Sequence, residues 1–143
     1  TNLLGIRFKP AAFSAFFELG SLHEMTDQTV ELDKGFVPDI QQIRASPIQS
    51  LDQFFLKRFS QPKHNLFHVI NEIYKHKGQI NLQVLALNHF TTIRQLERNF
   101  KKYVGIGPKE FINLVRYRFA VSTIKNNSAK RSLFDIAMEC GYY

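Results

Sequence analysis

Apolar residues recur three and four positions apart from residue 66 onward, in runs bounded by residues that start or end helices. The first run contains Leu66, Val69, Ile70 and Ile73 and stops before Gly78. Because one face of an α-helix repeats every 3.6 residues, this spacing predicts an amphipathic helix with one buried side. Similar runs fill the rest of the sequence, which predicts a small, entirely helical unit.

Cap residues mark where three of the later helices begin. Asn81 and Ser132 are suitable N-caps for two short helices, and Asp135 stands three residues after Ser132 as in a capping box. Pro108 suits the first turn of a long helix, where its missing N–H costs nothing. The pattern therefore predicts helices that start near residues 82, 108 and 133.

The stretch TTIRQLERNFKKYVG, residues 91–105, separates cationic and apolar side chains on one predicted helix. Thr92 and Gln95 form a capping box, so the helix should span about 93–103. Its apolar face holds Ile93, Leu96, Phe100 and Tyr103, and its opposite face holds Arg94, Arg98, Lys101 and Lys102, with Gln95 and Glu97 at the edges. We expect Leu96 and Phe100 to be buried and the cations to be exposed.

A short helix, a brief break and this basic helix follow one another in the order of a helix-turn-helix. The second helix of such a motif enters the DNA major groove. Arginine can pair with guanine edges there, while lysine suits phosphates. The predicted DNA-binding residues are Thr92, Arg94, Gln95, Glu97, Arg98, Lys101 and Lys102. A solvated helix face without a partner is the alternative that this geometry leaves open.

Charge is distributed unevenly between two predicted domains, 1–60 and 61–143, which meet at the turn SQPKH. The chain carries a net charge of +7. Residues 1–60 contain six Lys or Arg and seven Asp or Glu, whereas residues 61–143 contain thirteen and five. This asymmetry favours a polyanion such as double-stranded DNA as the partner of the second domain, and a merely basic surface is the alternative.

The first domain is predicted to be a small α+β unit. Residues 6–9 alternate and residues 29–32 are rich in strand formers, which predicts two short strands. Helical patterns run over 10–20, 36–46 and 46–60. The phenylalanines expected to form its core, with a ligand-pocket wall as the alternative, are Phe13, Phe16, Phe17, Phe54, Phe55 and Phe59.

Several motifs in the second domain are in register with a known pattern. The pattern A-x-x-x-G-x-S-x-x-x-L-x-R-x-F-K is matched by Ala86, Thr92, Leu96, Arg98, Phe100 and Lys101, the G-x-x-P and R-x-x-x-A patterns by Gly105, Pro108, Arg116 and Ala120, and I-A-x-x-x-G-[FY] by Ile136, Ala137, Gly141 and Tyr142. Residues 66–143 thus resemble the DNA-binding module of AraC/XylS-type transcription regulators. That resemblance implies two helix-turn-helix motifs joined by a linker helix, with Arg116 tying the two sub-units together.

The chain departs from this pattern at two places. Phe90 stands where the family has a turn glycine, so we expect a wider turn or a residue that avoids positive φ. The sequence ends at Tyr143, which implies a fragment whose second motif stops before its recognition helix. Residues 5–33 resemble the end of the N-terminal regulatory region of one branch of these regulators.

The resemblance implies a bacterial-type, cytoplasmic regulator that binds DNA sequence-specifically. It also implies a small-molecule effector or a protein partner at the N-terminal region, and leaves a homodimer open. The alternative is a helical protein-interaction or oligomerisation module whose basic face is incidental.

Other chemistry finds little support in the sequence. We expect no enzyme, because nucleophile-elbow, paired-carboxylate and Cys–His motifs are missing, and we expect no cofactor or metal. His64, His68 and Glu72 have the spacing of zinc ligands, although a solvated helix face is the simpler interpretation. No apolar run approaches the roughly 20 residues of a membrane span. A single cysteine, Cys140, excludes an internal disulfide, fits a reducing compartment and is expected to be a small buried residue.

Overall fold

Helices dominate the chain in a computed structural model, which describes residues 4–127 and 131–143, apart from the side chain of Lys34. The α-helices in these residues are α1 Ile40–Ala45, α2 Pro47–Arg58, α3 Leu66–Lys75, α4 Leu82–Asn88, α5 Ile93–Tyr103, α6 Pro108–Lys125 and α7 Leu133–Glu139. Single 3₁₀ turns span Ala12–Ala15, Leu22–Met25 and Lys34–Phe36. The prediction of a mainly α protein is therefore confirmed.

The core lies between α3, α4, α5 and α6. The predicted stripe of α3 is buried in full, because Leu66, Val69, Ile70 and Ile73 all lie in the main hydrophobic cluster. Partners from the other helices are Leu85, Ala86, Leu96, Phe100, Phe111, Ile112 and Val115. Removing this much apolar surface from water is the main force that holds the four helices together.

The turn between α4 and α5 is short and closed by backbone hydrogen bonds. Phe90 N–H donates to Leu87 C=O at 3.1 Å, and Thr91 N–H donates to Ala86 C=O at 3.0 Å. This is the Schellman arrangement, which requires a left-handed residue after the last helical one. Phe90 adopts that conformation, with φ 49°, so the expectation of a wider turn or of a residue that avoids positive φ is wrong.

Arg116 of α6 joins the ends of two other helices. Its Nε and Nη2 donate to Gly78 C=O at 3.0 and 2.8 Å, and its Nη1 donates to Gly141 C=O at 3.5 Å. Those two carbonyls belong to the turns that end α3 and α7. The structural role expected for Arg116 is therefore confirmed by its contacts.

The first 60 residues differ from their prediction. Neither expected strand forms, because residues 6–9 and 29–32 are extended or irregular and no described residue lies in a strand. A strand needs a partner to receive its hydrogen bonds, and a local pattern cannot supply one. The helix expected over 10–20 is reduced to the turn Ala12–Ala15, with Ala11 at φ 64°. The helices expected in 36–60 do form, as α1 and α2.

Phenylalanine rings of residues 13–17 pack against the rings of α2 and of the residue that follows it. Phe16 lies 5.2 Å from Phe55 and 6.0 Å from Phe59 between ring centroids, and Phe13 lies 5.0 Å from Phe17. The predicted cluster therefore forms. The rings of this cluster stay half-buried or exposed, however. Among the described residues up to residue 60, only Ala11 and Ala15 are fully buried.

Candidate nucleic-acid interface

Helix α5 begins at its predicted residue and buries its predicted face. Thr92 Oγ1 accepts a hydrogen bond from Gln95 N–H at 3.1 Å, which satisfies one free donor of the first turn. Leu96 and Phe100 are 1% and 0% exposed. Their burial fixes the rotation of α5 about its axis, so its opposite side must face outward.

That outward side is cationic, as predicted. The residues Arg94, Arg98, Lys101 and Lys102 are exposed, together with Glu97 and Thr92. Four cations and one carboxylate on an 11-residue helix create a positive surface potential. The predicted site residues therefore share one accessible face, with a single exception.

The exception is Gln95, which is half-buried and bonded within the helix. Its Oε1 accepts from Arg98 Nη2 at 2.6 Å, and its Nε2 donates to Asn99 Oδ1 at 2.9 Å. The reciprocal half of the capping box is thus replaced by side-chain contacts along α5. As a result, the guanidinium of Arg98 has a hydrogen bond to its own helix on the exposed face.

The start of α6 borders the same face. Lys109, Glu110 and Asn113 of α6 line a hollow of about 450 Å³ together with Glu97 and Lys101 of α5. Lys109 lies in the first turn of α6, immediately after the G-x-x-P segment, and sequence periodicity alone does not show that this turn approaches α5. The exposed polar surface beside the basic face therefore continues onto α6, where the charges of Lys109 and Glu110 offset each other.

The carboxylate of Glu72, on α3, contacts the C-terminal end of α4. Glu72 accepts from Asn88 Nδ2 and contacts His89 Nε2, each at 2.6 Å. The hydrogen bond from Asn88, followed by that from His89, holds the pKa of Glu72 below its ordinary value. Glu72 therefore positions the end of α4 relative to α3. His64 contacts Ser14 Oγ at 3.0 Å. His64 and Glu72, the two outer residues of the spacing typical of zinc ligands, thus have separate partners.

Residues 21–26 form hydrogen bonds to the C-terminal end of α5 and to the turn that follows it. His23 Nδ1 lies 2.8 Å from Gly105 C=O, Thr26 Oγ1 donates to the same carbonyl at 3.1 Å, and Ser21 Oγ donates to Lys101 C=O at 3.3 Å. The contact of Ser21 satisfies a carbonyl of the last turn of α5, which a helix end leaves without an intrahelical partner. The contacts of His23 and Thr26 satisfy a carbonyl of the turn that follows the helix. The residues before α1 are thus attached directly to the basic helix.

Comparisons with protein-family models, with curated proteins and with solved structures found no match to this chain. Within residues 4–127 and 131–143, no helix combines the length and the apolar character that crossing a bilayer requires.

Proposed function

We propose that this protein is a transcription regulator of the AraC/XylS type that binds double-stranded DNA sequence-specifically. In this proposal α4 and α5 form a helix-turn-helix, and α5 enters the major groove. The observation that carries it is the orientation of α5, whose apolar side is locked into the core while its cations face outward. A helix about 10–12 Å wide with an exposed cationic side fits a major groove about 12 Å wide.

Each exposed side chain has an expected role. Arg98 is oriented by Gln95 and is suited to a guanine edge, and Arg94 lies one turn before it. Lys101, Lys102 and Lys109 are suited to phosphates, since an ammonium on a flexible stem makes point contacts. Thr92 and Glu97 complete the face that approaches the groove.

A second candidate function is supported by apolar side chains beside the same turn. Leu87 is 75% exposed and Phe90 is 99% exposed, and Val84 of α4 is also exposed. Apolar surface next to a polar rim is typical of a protein–protein contact. A helical interaction or oligomerisation module with an incidental basic face is therefore the competing proposal.

Salt dependence of DNA binding separates the two functions. A preferred duplex is first selected from a randomised library, and its affinity is then measured by fluorescence anisotropy at several salt concentrations. Phosphate contacts release counterions, so the logarithm of the association constant should fall linearly with the logarithm of salt concentration, with a slope of roughly −0.9 per contact.

Two double variants remove the same number of positive charges, one pair from α5 and one pair from other helices. Arg94→Gln with Arg98→Gln should weaken binding to the selected duplex strongly, whereas Lys75→Gln with Lys125→Gln, on α3 and α6, should change it little. Absence of a preferred sequence, or equal losses for both double variants, would refute the proposal.

A further inference from the structure

Glu97 is the only acidic residue of α5, and it lies on the exposed face among the cations of that helix. Arg94 stands three residues before it and Lys101 four residues after it, so both belong to neighbouring turns on the same side of α5. Among the described residues, however, every ion pair within 4.0 Å joins other side chains. The carboxylate of Glu97 is therefore accessible and free to accept hydrogen bonds.

The guanidinium closest to Glu97 along the chain is also engaged elsewhere. Arg98 Nη2 donates to Gln95 Oε1 at 2.6 Å. A carboxylate on a face that approaches DNA repels the phosphates and so lowers the attraction of the whole face. Glu97 therefore favours binding only to a duplex that offers its carboxylate a hydrogen-bond donor.

The major groove offers such donors on only two of the four bases. Guanine and thymine present acceptors there, which repel a carboxylate, and thymine adds a methyl group. Adenine has an amino donor, but its acceptor N7 stands beside that donor. Cytosine presents its N4 amino group without an acceptor of its own, and glutamate or aspartate is the usual partner of this group. An unpaired carboxylate on a groove-facing helix thus favours cytosine.

We propose that Glu97 selects a cytosine in the preferred duplex and opposes binding to sequences that lack it, an inference that rests on the proposed DNA-binding function. An α-helix rises about 1.5 Å per residue, and base pairs are about 3.4 Å apart. Glu97 and Arg98 therefore reach the same or adjacent base pairs, and the cytosine should lie within one base pair of the guanine that Arg98 contacts. Part of the specificity is repulsive, because the wrong base leaves the carboxylate without a donor.

The first experiment compares the sequences that three proteins select from a randomised duplex library. The proteins are the unmodified chain, Glu97→Gln and Glu110→Gln. Glutamine keeps the shape of glutamate and pairs with N6 and N7 of adenine. We expect the unmodified chain to enrich cytosine at one position and Glu97→Gln to enrich adenine there, with the other positions unchanged.

Glu110→Gln is the matched control. Glu110 is an exposed carboxylate that lines the same hollow as Glu97 but belongs to α6. The substitution removes the same charge from the same neighbourhood and should keep the cytosine. Because both positions are exposed, neither substitution should disturb the fold.

The second experiment measures affinities by fluorescence anisotropy. Replacing the selected cytosine with adenine should weaken binding of the unmodified chain about fivefold or more, the usual effect of one mismatched base pair. The same replacement should not weaken binding of Glu97→Gln. Both variants should bind a random duplex about twofold more tightly than the unmodified chain, since each has lost one charge that repels phosphates.

The outcomes separate this inference from the function on which it rests. If Glu97→Gln still selects cytosine, or if Glu110→Gln loses it equally, the role of Glu97 is overturned and the DNA-binding function stands. If the unmodified chain enriches no sequence at all, the DNA-binding function fails and the role of Glu97 fails with it.

Discussion

Arg98 and Lys102 lie on the same exposed face of α5 but in different surroundings. The guanidinium of Arg98 is held by Gln95 at 2.6 Å, whereas the ammonium of Lys102 lies 5.1 Å from the ring centroid of Tyr103, near the helix end. An oriented, forked donor is suited to reading a base, and a flexible ammonium to neutralising a phosphate.

The two residues should therefore respond differently to truncation. We expect Arg98→Ala to weaken binding to the preferred duplex by about 1–3 kcal/mol and to relax base preference, and Lys102→Ala to weaken all duplexes about equally. Titrating both variants against the preferred and a random duplex measures this. An equal loss on both duplexes for Arg98→Ala would reassign Arg98 to a phosphate.

Phe90 combines two unfavourable features, a left-handed backbone and an aromatic ring that is 99% exposed. Left-handed φ costs an ordinary residue about 1–2 kcal/mol, and glycine avoids that cost. We expect Phe90→Gly to raise the free energy of unfolding by about 0.5–1 kcal/mol, after allowing for the greater freedom of glycine in the unfolded chain. Phe90→Val should lower it, since a β-branched residue tolerates this conformation poorly. Urea unfolding of the unmodified protein and the two variants measures both changes in the free energy of unfolding. A lower free energy of unfolding for Phe90→Gly would show that the backbone of Phe90 is not strained.

At the scale of the helices, the turn that ends α3 lies directly against the backbone of α6. A Cβ placed on Gly78 would lie 2.5 Å from Arg116 N and 2.6 Å from Ile112 C=O, and Gly78 has φ 73°. Arg116 then donates to the same glycine. The absence of a side chain at residue 78 is thus what allows α6 to bind both α3 and α7.

Gly78→Ala should therefore destabilise the protein by about 2 kcal/mol or more. The added methyl must push two backbones apart, and alanine must also adopt the left-handed backbone conformation of residue 78. Gly35→Ala is the control, because nothing lies within 4 Å of its Cβ position and its φ is not left-handed. Thermal or urea unfolding measures both. A cost for Gly78→Ala no larger than that of Gly35→Ala would mean that α3 and α6 separate easily.

At the scale of the whole molecule, His64 contacts both the residues before α1 and helix α5 of the core. Its ring contacts Ser14 Oγ at 3.0 Å and lies 4.4 Å from the ring centroid of Tyr103. Partial burial lowers the pKa of His64 below its ordinary value of 6.5. The folded protein therefore favours the neutral ring.

This lowered pKa has a definite consequence for stability. As pH falls below 6.5, the unfolded chain takes up a proton on His64 before the folded chain does, so the free energy of unfolding falls. Above 6.5 both states are neutral and the effect vanishes. Urea unfolding between pH 7.5 and 5.5 should show a smaller loss for His64→Gln than for the unmodified chain. His68→Gln, on the exposed side of α3, should keep the full loss. If it removes the loss equally, His64 is not the group responsible.

Local chemistry in the sequence was sufficient to predict most of residues 66–143. The caps Asn81, Thr92 and Ser132 each accept the expected hydrogen bond, and the burial of Leu96 and Phe100 follows from the phase that Thr92 sets. These features depend on residues within one or two helical turns, so a linear pattern contains them.

Tertiary structure alone decided the rest. Residues 6–9 and 29–32 have strand-like patterns, yet a strand exists only when a second segment accepts its hydrogen bonds. Phe90 is left-handed because closing the turn between α4 and α5 outweighs its own backbone preference. The position of Lys102, at once on the basic face and in the wall of a cavity, depends on contacts between segments some 80 residues apart. Such contacts are set by how whole segments pack, and no local pattern of residues specifies them.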